Sequence, residues 1–333
     1  MRYGIGFDFL LDNLEYSNAI WLTRTLYALR IAPEIGIGIG NKHSLMFGGF
    51  IVQNMGANRF PTKANITAYY AYNGANFGAY VGIFPRTKFI GTYPLSFFRQ
   101  DFLFFSPNSN GLALQYRTDT YRGMRVSGEF VLDYFGGNLA KRYDEFFMLA
   151  EGKFEALDSL YLRANTLVYH FKNSEVLGDA YLMDRILYNL TFGVDFKCFV
   201  SYLNTAEISI SALGQLERKR YESGLGNLYA GTGYEFSAKI AYKGFGIEES
   251  YYVGKPQMRY FAEYGEDFYS GLPFYQTDAF NRLKAYYEYK NDFLRVNIGV
   301  IFYAFDSTFA LQQMLTLTLD THKILSHKRI ERF

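Results

Sequence analysis

Hydrophobic and polar positions alternate along much of the chain. Near its end Leu311, Leu315, Leu317 and Leu319 share one parity, while Gln312, Met314, Thr316, Thr318 and Asp320 share the other. The stretch before repeats the pattern, with Leu294, Val296, Ile298, Val300 and Phe302 set against Arg295, Asn297 and Gly299. Before that, Leu283, Ala285, Tyr287 and Tyr289 oppose Arg282, Lys284 and Glu288. A period of two is a β-strand with unlike faces. Strand after strand carries charge on its second face, which suits a barrel with lipid outside and a wet lumen inside.

The pattern predicts strands over residues 2–10, 32–40, 45–52, 65–72, 77–84, 111–120, 123–135, 145–154, 160–171, 186–199, 206–216, 234–242, 246–253, 281–289, 293–305 and 311–320. That is roughly sixteen strands, each about nine to eleven residues, the length a tilted strand needs to cross a bilayer. One misread hairpin would give about fourteen or eighteen. Short turns, such as 73–76 with Asn73 and Gly74, alternate with long loops such as 11–29, 85–110, 172–185, 217–233 and 254–280. An even antiparallel barrel needs that: short turns and both termini periplasmic, long loops outside. The expected fold is therefore all-β, one closed antiparallel transmembrane barrel over residues 1–321 with a basic tail at 322–333. Closure also removes exposed strand edges. The soluble alternatives, a large sandwich or a propeller, lack repeat signatures.

Composition sharpens this picture. Aromatics make up 20% of the 333 residues, with 31 Tyr and 33 Phe, as aromatic girdles require. A mean hydropathy of −0.10 and the absence of a long apolar run exclude a helical membrane protein but not a barrel. A net charge of +2 gives no nucleic-acid signal. The lone Cys198 excludes an internal disulfide. The chain starts Met1-Arg2-Tyr3 already alternating, so a secretion signal is expected to be missing from it.

With the apolar parity in lipid, the other parity lines the lumen. Its candidate residues are Arg117, Arg125, Glu129, Asp133, Glu151, Lys153, Arg163, Asp195, Lys197, Glu207, Glu235, Lys239, Arg282, Lys284, Glu288 and Arg295. The two signs nearly balance, giving either a polar channel or a lumen knitted by ion pairs. In loop 85–110, Phe89, Tyr93, Phe97, Phe98, Phe102, Phe104 and Phe105 are too many aromatics for open water. They are expected to constrict the lumen, or to cap it against loop 254–280, which carries Tyr260, Phe261, Tyr264, Phe268, Tyr269, Phe274 and Tyr275. A third use is contact with a surface protein or glycan partner.

Enzyme signals are weak. His43-Ser44 is adjacent in a turn, whereas a barrel hydrolase wants His and Ser together on the outer face. No carboxylate is expected near His170, and His322 and His327 lie in the basic tail. Gly36, Gly38 and Gly40 precede no helix, so they serve the wall rather than a nucleotide. No catalytic residue, metal or cofactor is expected.

The architecture resembles the porin-like outer-membrane barrels of Gram-negative bacteria. Pro33-Glu34-Ile35-Gly36 and Gly82-Ile83-Phe84-Pro85-Arg86 look like motifs of a Bacteroidota barrel group. The terminal Phe333 is similar to the aromatic end that barrel-assembly machinery recognises. The resemblance implies an outer-membrane location with lipid around the wall and small polar solutes passing through. It implies no catalytic residues.

Overall fold

A computed structural model describes residues 2–16, 23–134, 145–172 and 177–321. Trp21, the tail 322–333 with His322 and His327, and Phe333 lie outside the described residues. The strands are β1 (Arg2–Tyr16), β2 (Arg24–Ile39), β3 (His43–Asn54), β4 (Lys63–Asn73), β5 (Phe77–Pro85), β6 (Asn108–Arg117), β7 (Met124–Tyr134), β8 (Phe146–Ala156) and β9 (Leu160–Phe171). The sheet continues with β10 (Leu182–Asp195), β11 (Thr205–Tyr221), β12 (Gly224–Leu225), β13 (Tyr229–Tyr242), β14 (Phe245–Gly254), β15 (Ala279–Lys290), β16 (Leu294–Phe305) and β17 (Thr308–Asp320). Each long strand pairs antiparallel with its sequence neighbours, and β1 pairs with β17, so the sheet closes. The two-residue β12 only decorates the β11–β13 connection, leaving sixteen wall strands.

Both described termini sit at one end, the terminal end, with connections such as 40–42, 74–76 and 243–244. The opposite loop end carries 55–62, 86–107 and 255–278, together with the two-residue turn 306–307. Asp306 and Ser307 both take positive φ there, the geometry that matches a tight hairpin to the twist of its strands.

The alternation sorts the faces. Tyr3, Ile5, Ile35, Ile37, Phe236 and Ile298 stand exposed on the outer wall, while Asp12, Glu34, Asp133 and Arg282 are buried inside. A ring of outward aromatics, among them Tyr70, Tyr116, Tyr242, Phe245 and Tyr287, borders the terminal end. Three inward tyrosines lie over glycines of the neighbouring strand. A Cβ on Gly193, Gly233 or Gly246 would fall 2.2–2.4 Å from the rings of Tyr161, Tyr252 and Tyr286 respectively. Gly36 meets Met46 in the same way, whereas Gly40 faces open space.

Strand lengths depart from expectation: they run from 9 residues in β5 to 17 in β11. Residues 11–16, 24–29, 182–185, 217–221 and 229–233, read from sequence as loop, are wall. The cause is the inner face at the loop end. Leu10, Leu14, Ala28, Met183, Leu187 and Leu213 point inward there and are buried, so on β1, β2 and β10 apolar residues occupy both parities and the period is lost, while 217–221 on β11, Glu-Arg-Lys-Arg-Tyr, is charged on both. What the inward apolar residues pack against is chain, not water.

Candidate functional site

Two long connections enter the barrel. The first, 86–107, carries α1 (Gln100–Phe105), and the second, 255–278, carries α2 (Phe261–Phe268). They meet inside the lumen. The Leu272 N–H donates to the Leu95 carbonyl at 2.8 Å, the Arg99 N–H donates to the Ser270 carbonyl at 2.9 Å, and the Ser270 hydroxyl donates to the Phe97 carbonyl at 2.9 Å. Phe97, Phe98, Phe268, Phe274 and Tyr275 are buried in one cluster with the inward leucines, and Phe89, Tyr93, Phe102, Phe104 and Phe105 pack on it. Phe98 stacks on Phe102 at 5.4 Å and meets Phe147 of the wall at 6.0 Å.

Wall carboxylates hold the inserted loops. Ile90 and Gly91 donate their N–H groups to Glu129 at 2.7 and 3.1 Å, and the Tyr93 hydroxyl donates to it at 2.8 Å. Thr92 N–H donates to Glu151. Arg86 pairs with Asp133 at 2.5 Å, both buried. In the second loop, Tyr269 donates to Glu217 at 3.1 Å and Tyr275 donates to Glu235. Arg185 pairs with Glu217 at 3.0 Å and lies 4.4 Å over the Tyr269 ring. Burial, then the Glu217 charge, push the Tyr269 phenol well above its usual range, so it stays a donor. Arg185 and Glu217 were not among the sequence candidates because both fell in predicted loops.

Most of the remaining candidates sit toward the terminal end, whereas Arg282 lies nearer the loop end of β15, beside Leu95 and Arg99. Arg125, Lys153, Arg163, Asp195 and Glu207 line a cavity of about 240 Å³. Glu248 takes Arg282 at 3.0 Å and Lys239 at 3.7 Å. Arg117, Lys284, Glu288 and Arg295 also stand on the inward parity of their strands. Lys197 departs: it lies in a terminal-end helical turn, where its N–H donates to Asp195.

The outer wall holds a polar cluster that sequence reading missed. His170 and Asp184 are register partners on β9 and β10. Asp184 in turn faces Arg218 on β11. The His170 Nδ1 lies 3.2 Å from Asp184 Oδ1, while Oδ2 accepts from Arg220 Nε at 2.6 Å and Arg218 Nη2 at 3.1 Å. The His170 ring stacks on Phe146 at 5.0 Å. All four polar side chains are partly exposed, above an outward field of Leu162, Ile186, Leu190, Phe192, Ile208 and Ile210. The expectation that His170 has no carboxylate nearby is corrected here. Asp184 had been assigned to a loop, and extending β10 by four residues brings it opposite His170. With a proton on Nδ1 directed at Asp184, Nε2 is left with its lone pair, the orientation a general base needs.

His43 and Ser44 separate. His43 is exposed on the outer wall at the terminal end, against Tyr70 at 2.6 Å, while Ser44 is buried on the inner face. Adjacent strand residues face opposite ways, so they form no catalytic pair. Among the described residues no His/Cys/Asp/Glu group could hold a metal.

A closed sixteen-strand barrel with an apolar outer wall and a polar inner one defines an integral membrane barrel of the outer-membrane porin type. The solved structure of Salmonella typhi OmpF with daunomycin is similar over 95% of this chain and 97% of that one, with TM-score 0.52 and 10% identity. The anion-selective porin of Comamonas acidovorans is similar over 96% and 98%, with TM-score 0.51 and 10% identity. At such identity these likenesses concern the fold alone. No curated protein matches the chain. Over residues 5–328 the chain matches the lipid A 3'-O-deacylase-type family, and it belongs to that family. The family is named for an enzyme, which overturns the expectation of a barrel without catalytic function.

Proposed function

We propose that this chain is an outer-membrane hydrolase that removes an ester-linked acyl chain from a phosphorylated glycolipid of the lipid A type. The carrying observation is His170 held by Asp184 on a lipid-facing wall, in a member of a lipid A 3'-O-deacylase-type family. In bacterial barrels the termini and short turns are periplasmic, so the loop end meets the outer leaflet. The cluster then lies at headgroup depth, where the ester bonds of such a lipid begin.

In this reading His170 Nε2 takes a proton from water as the water oxygen attacks the ester carbonyl. Asp184 keeps the proton on Nδ1 and stabilises the imidazolium that forms. The imidazolium then gives its proton to the departing sugar oxygen as the C–O bond breaks, releasing a fatty acid. Arg218 and Arg220 outnumber the one carboxylate between them, and their spare charge suits a phosphate or the developing oxyanion. Passage of small polar solutes has the fold in its favour, but two loops joined across the lumen weigh against free diffusion.

Lipid A incubated with the purified barrel in mixed vesicles and followed by mass spectrometry should lose one acyl chain. His170→Ala and Asp184→Asn should slow that loss by about 10²–10⁴-fold, and His43→Ala should not. Unchanged lipid mass with folded wild-type barrel would refute the proposal.

A further inference from the structure

The loop end holds a vestibule of about 570 Å³ above the joined loops. That lies within the roughly 300–1,000 Å³ of small-ligand sites. It is on the inner side of the barrel, apart from the His170 cluster. Apolar faces come from Phe102 and Phe105 of α1 and its approach, with Phe147 and Phe268 behind them. Polar groups come from Asn54 and Asn65, at the loop ends of β3 and β4.

Charge restricts what the vestibule accepts. Its two arginines are already committed: Arg24 pairs with Asp101 at 2.7 Å and Glu266 at 3.1 Å, and Arg99 pairs with the same two at 3.0 and 2.6 Å. Lys63 donates to the Phe105 carbonyl at 2.6 Å. Three cations, Arg24, Lys63 and Arg99, stand against four carboxylates, Asp101, Glu145, Glu266 and Asp267, so the lining has no net positive charge with which to hold a phosphate or uronate. The Asn54 Oδ1 is buried with no hydrogen-bond partner among the described residues. A buried amide oxygen without a donor is costly, so the site asks for a ligand hydroxyl or amide N–H.

Flat apolar faces beside amide acceptors, without net positive charge, match a sugar ring: C–H faces against the aromatics and hydroxyls toward the asparagines. We infer that the loop-end vestibule binds an uncharged oligosaccharide. The inference is independent of the hydrolase reading, since neither His170 nor the outer wall takes part.

Titration calorimetry of the full barrel in detergent would use maltotriose and chitotriose as neutral probes, trigalacturonate as an anion and spermidine as a cation. At least one neutral probe should bind saturably with Kd at or below about 1 mM. Phe102→Ala should weaken it about tenfold or more. Asn54→Ala, which leaves the loops' own contacts intact, should do the same. Binding of the charged probes alone, no saturable neutral binding, or neutral binding indifferent to Asn54→Ala would overturn the inference.

Discussion

Replacing Glu217 by leucine should undock the second loop. Arg185 and Glu217 have side-chain exposures of 1% and 0%, and both touch Tyr269. Without Glu217 the guanidinium stays buried with no counter-charge. Breaking one half of a buried pair costs about 3–5 kcal/mol. At about 1.4 kcal/mol per tenfold, the docking equilibrium of 255–278 moves by roughly two to three and a half orders of magnitude. The global barrel ladder is untouched, because neither side chain takes part in backbone pairing. The expected phenotype is selective: fluctuating conductance steps in a planar bilayer, and protease cleavage near α2, from a barrel that remains folded. Replacing both residues, Arg185→Leu with Glu217→Leu, removes the orphaned charge and should restore much of the docking. A quiet, protease-resistant Glu217→Leu variant would refute the reasoning. So would a double variant worse than the sum of its parts.

Two further outcomes test the wall itself. Phe236→Arg places a cation on the lipid face midway along β13, where it should cost about 2–4 kcal/mol of folding stability in vesicles. Gly233→Val drives a Cβ to 2.4 Å from the Tyr252 ring, which anchors the second loop through Lys255 and Gln257. Overpacking of that kind should lower stability by about 1–3 kcal/mol in urea titration, with loop cleavage appearing first.

The barrel was legible wherever one wall face met lipid and the other met polar chain or water. On β15 and β16, Leu283, Tyr287, Ile298 and Phe302 stay outside and Arg282, Lys284 and Asn297 inside, so the period of two is clean. On β1 and β2 it fails beyond Leu10, because Leu14 and Ala28 point inward to a packed cluster rather than to water. The same masking hid 182–185, and with them Arg185 and Asp184, whereas Glu217 was hidden because 217–221, Glu-Arg-Lys-Arg-Tyr, is charged on both parities. The aromatic richness of 85–110 and 254–280 was visible and meant burial. Contact between the two loops was one of the expectations for 85–110, but which groups join could not be read, because they lie 170 and 173 positions apart. The His170–Asp184 pair depends on hairpin register, which single-residue patterns do not carry.

The joined loops also set an order of events. Residues 86–107 emerge between β5 and β6, and 255–278 between β14 and β15, so their handshake requires chain from both sides of the ring. Contacts of such sequence separation form late, since closing the long intervening loop costs entropy before any contact is gained. Closure of the wall is more remote still, since Gly6 pairs with Asp320, 314 positions away, where β1 meets β17. The acidic sockets are nearer, with Tyr93 to Glu129, Tyr269 to Glu217 and Tyr275 to Glu235 spanning 36, 52 and 40 positions. By loop-closure entropy the sockets fill first, the two loops join next and the ring closes last, so the interior is packed before the wall seals.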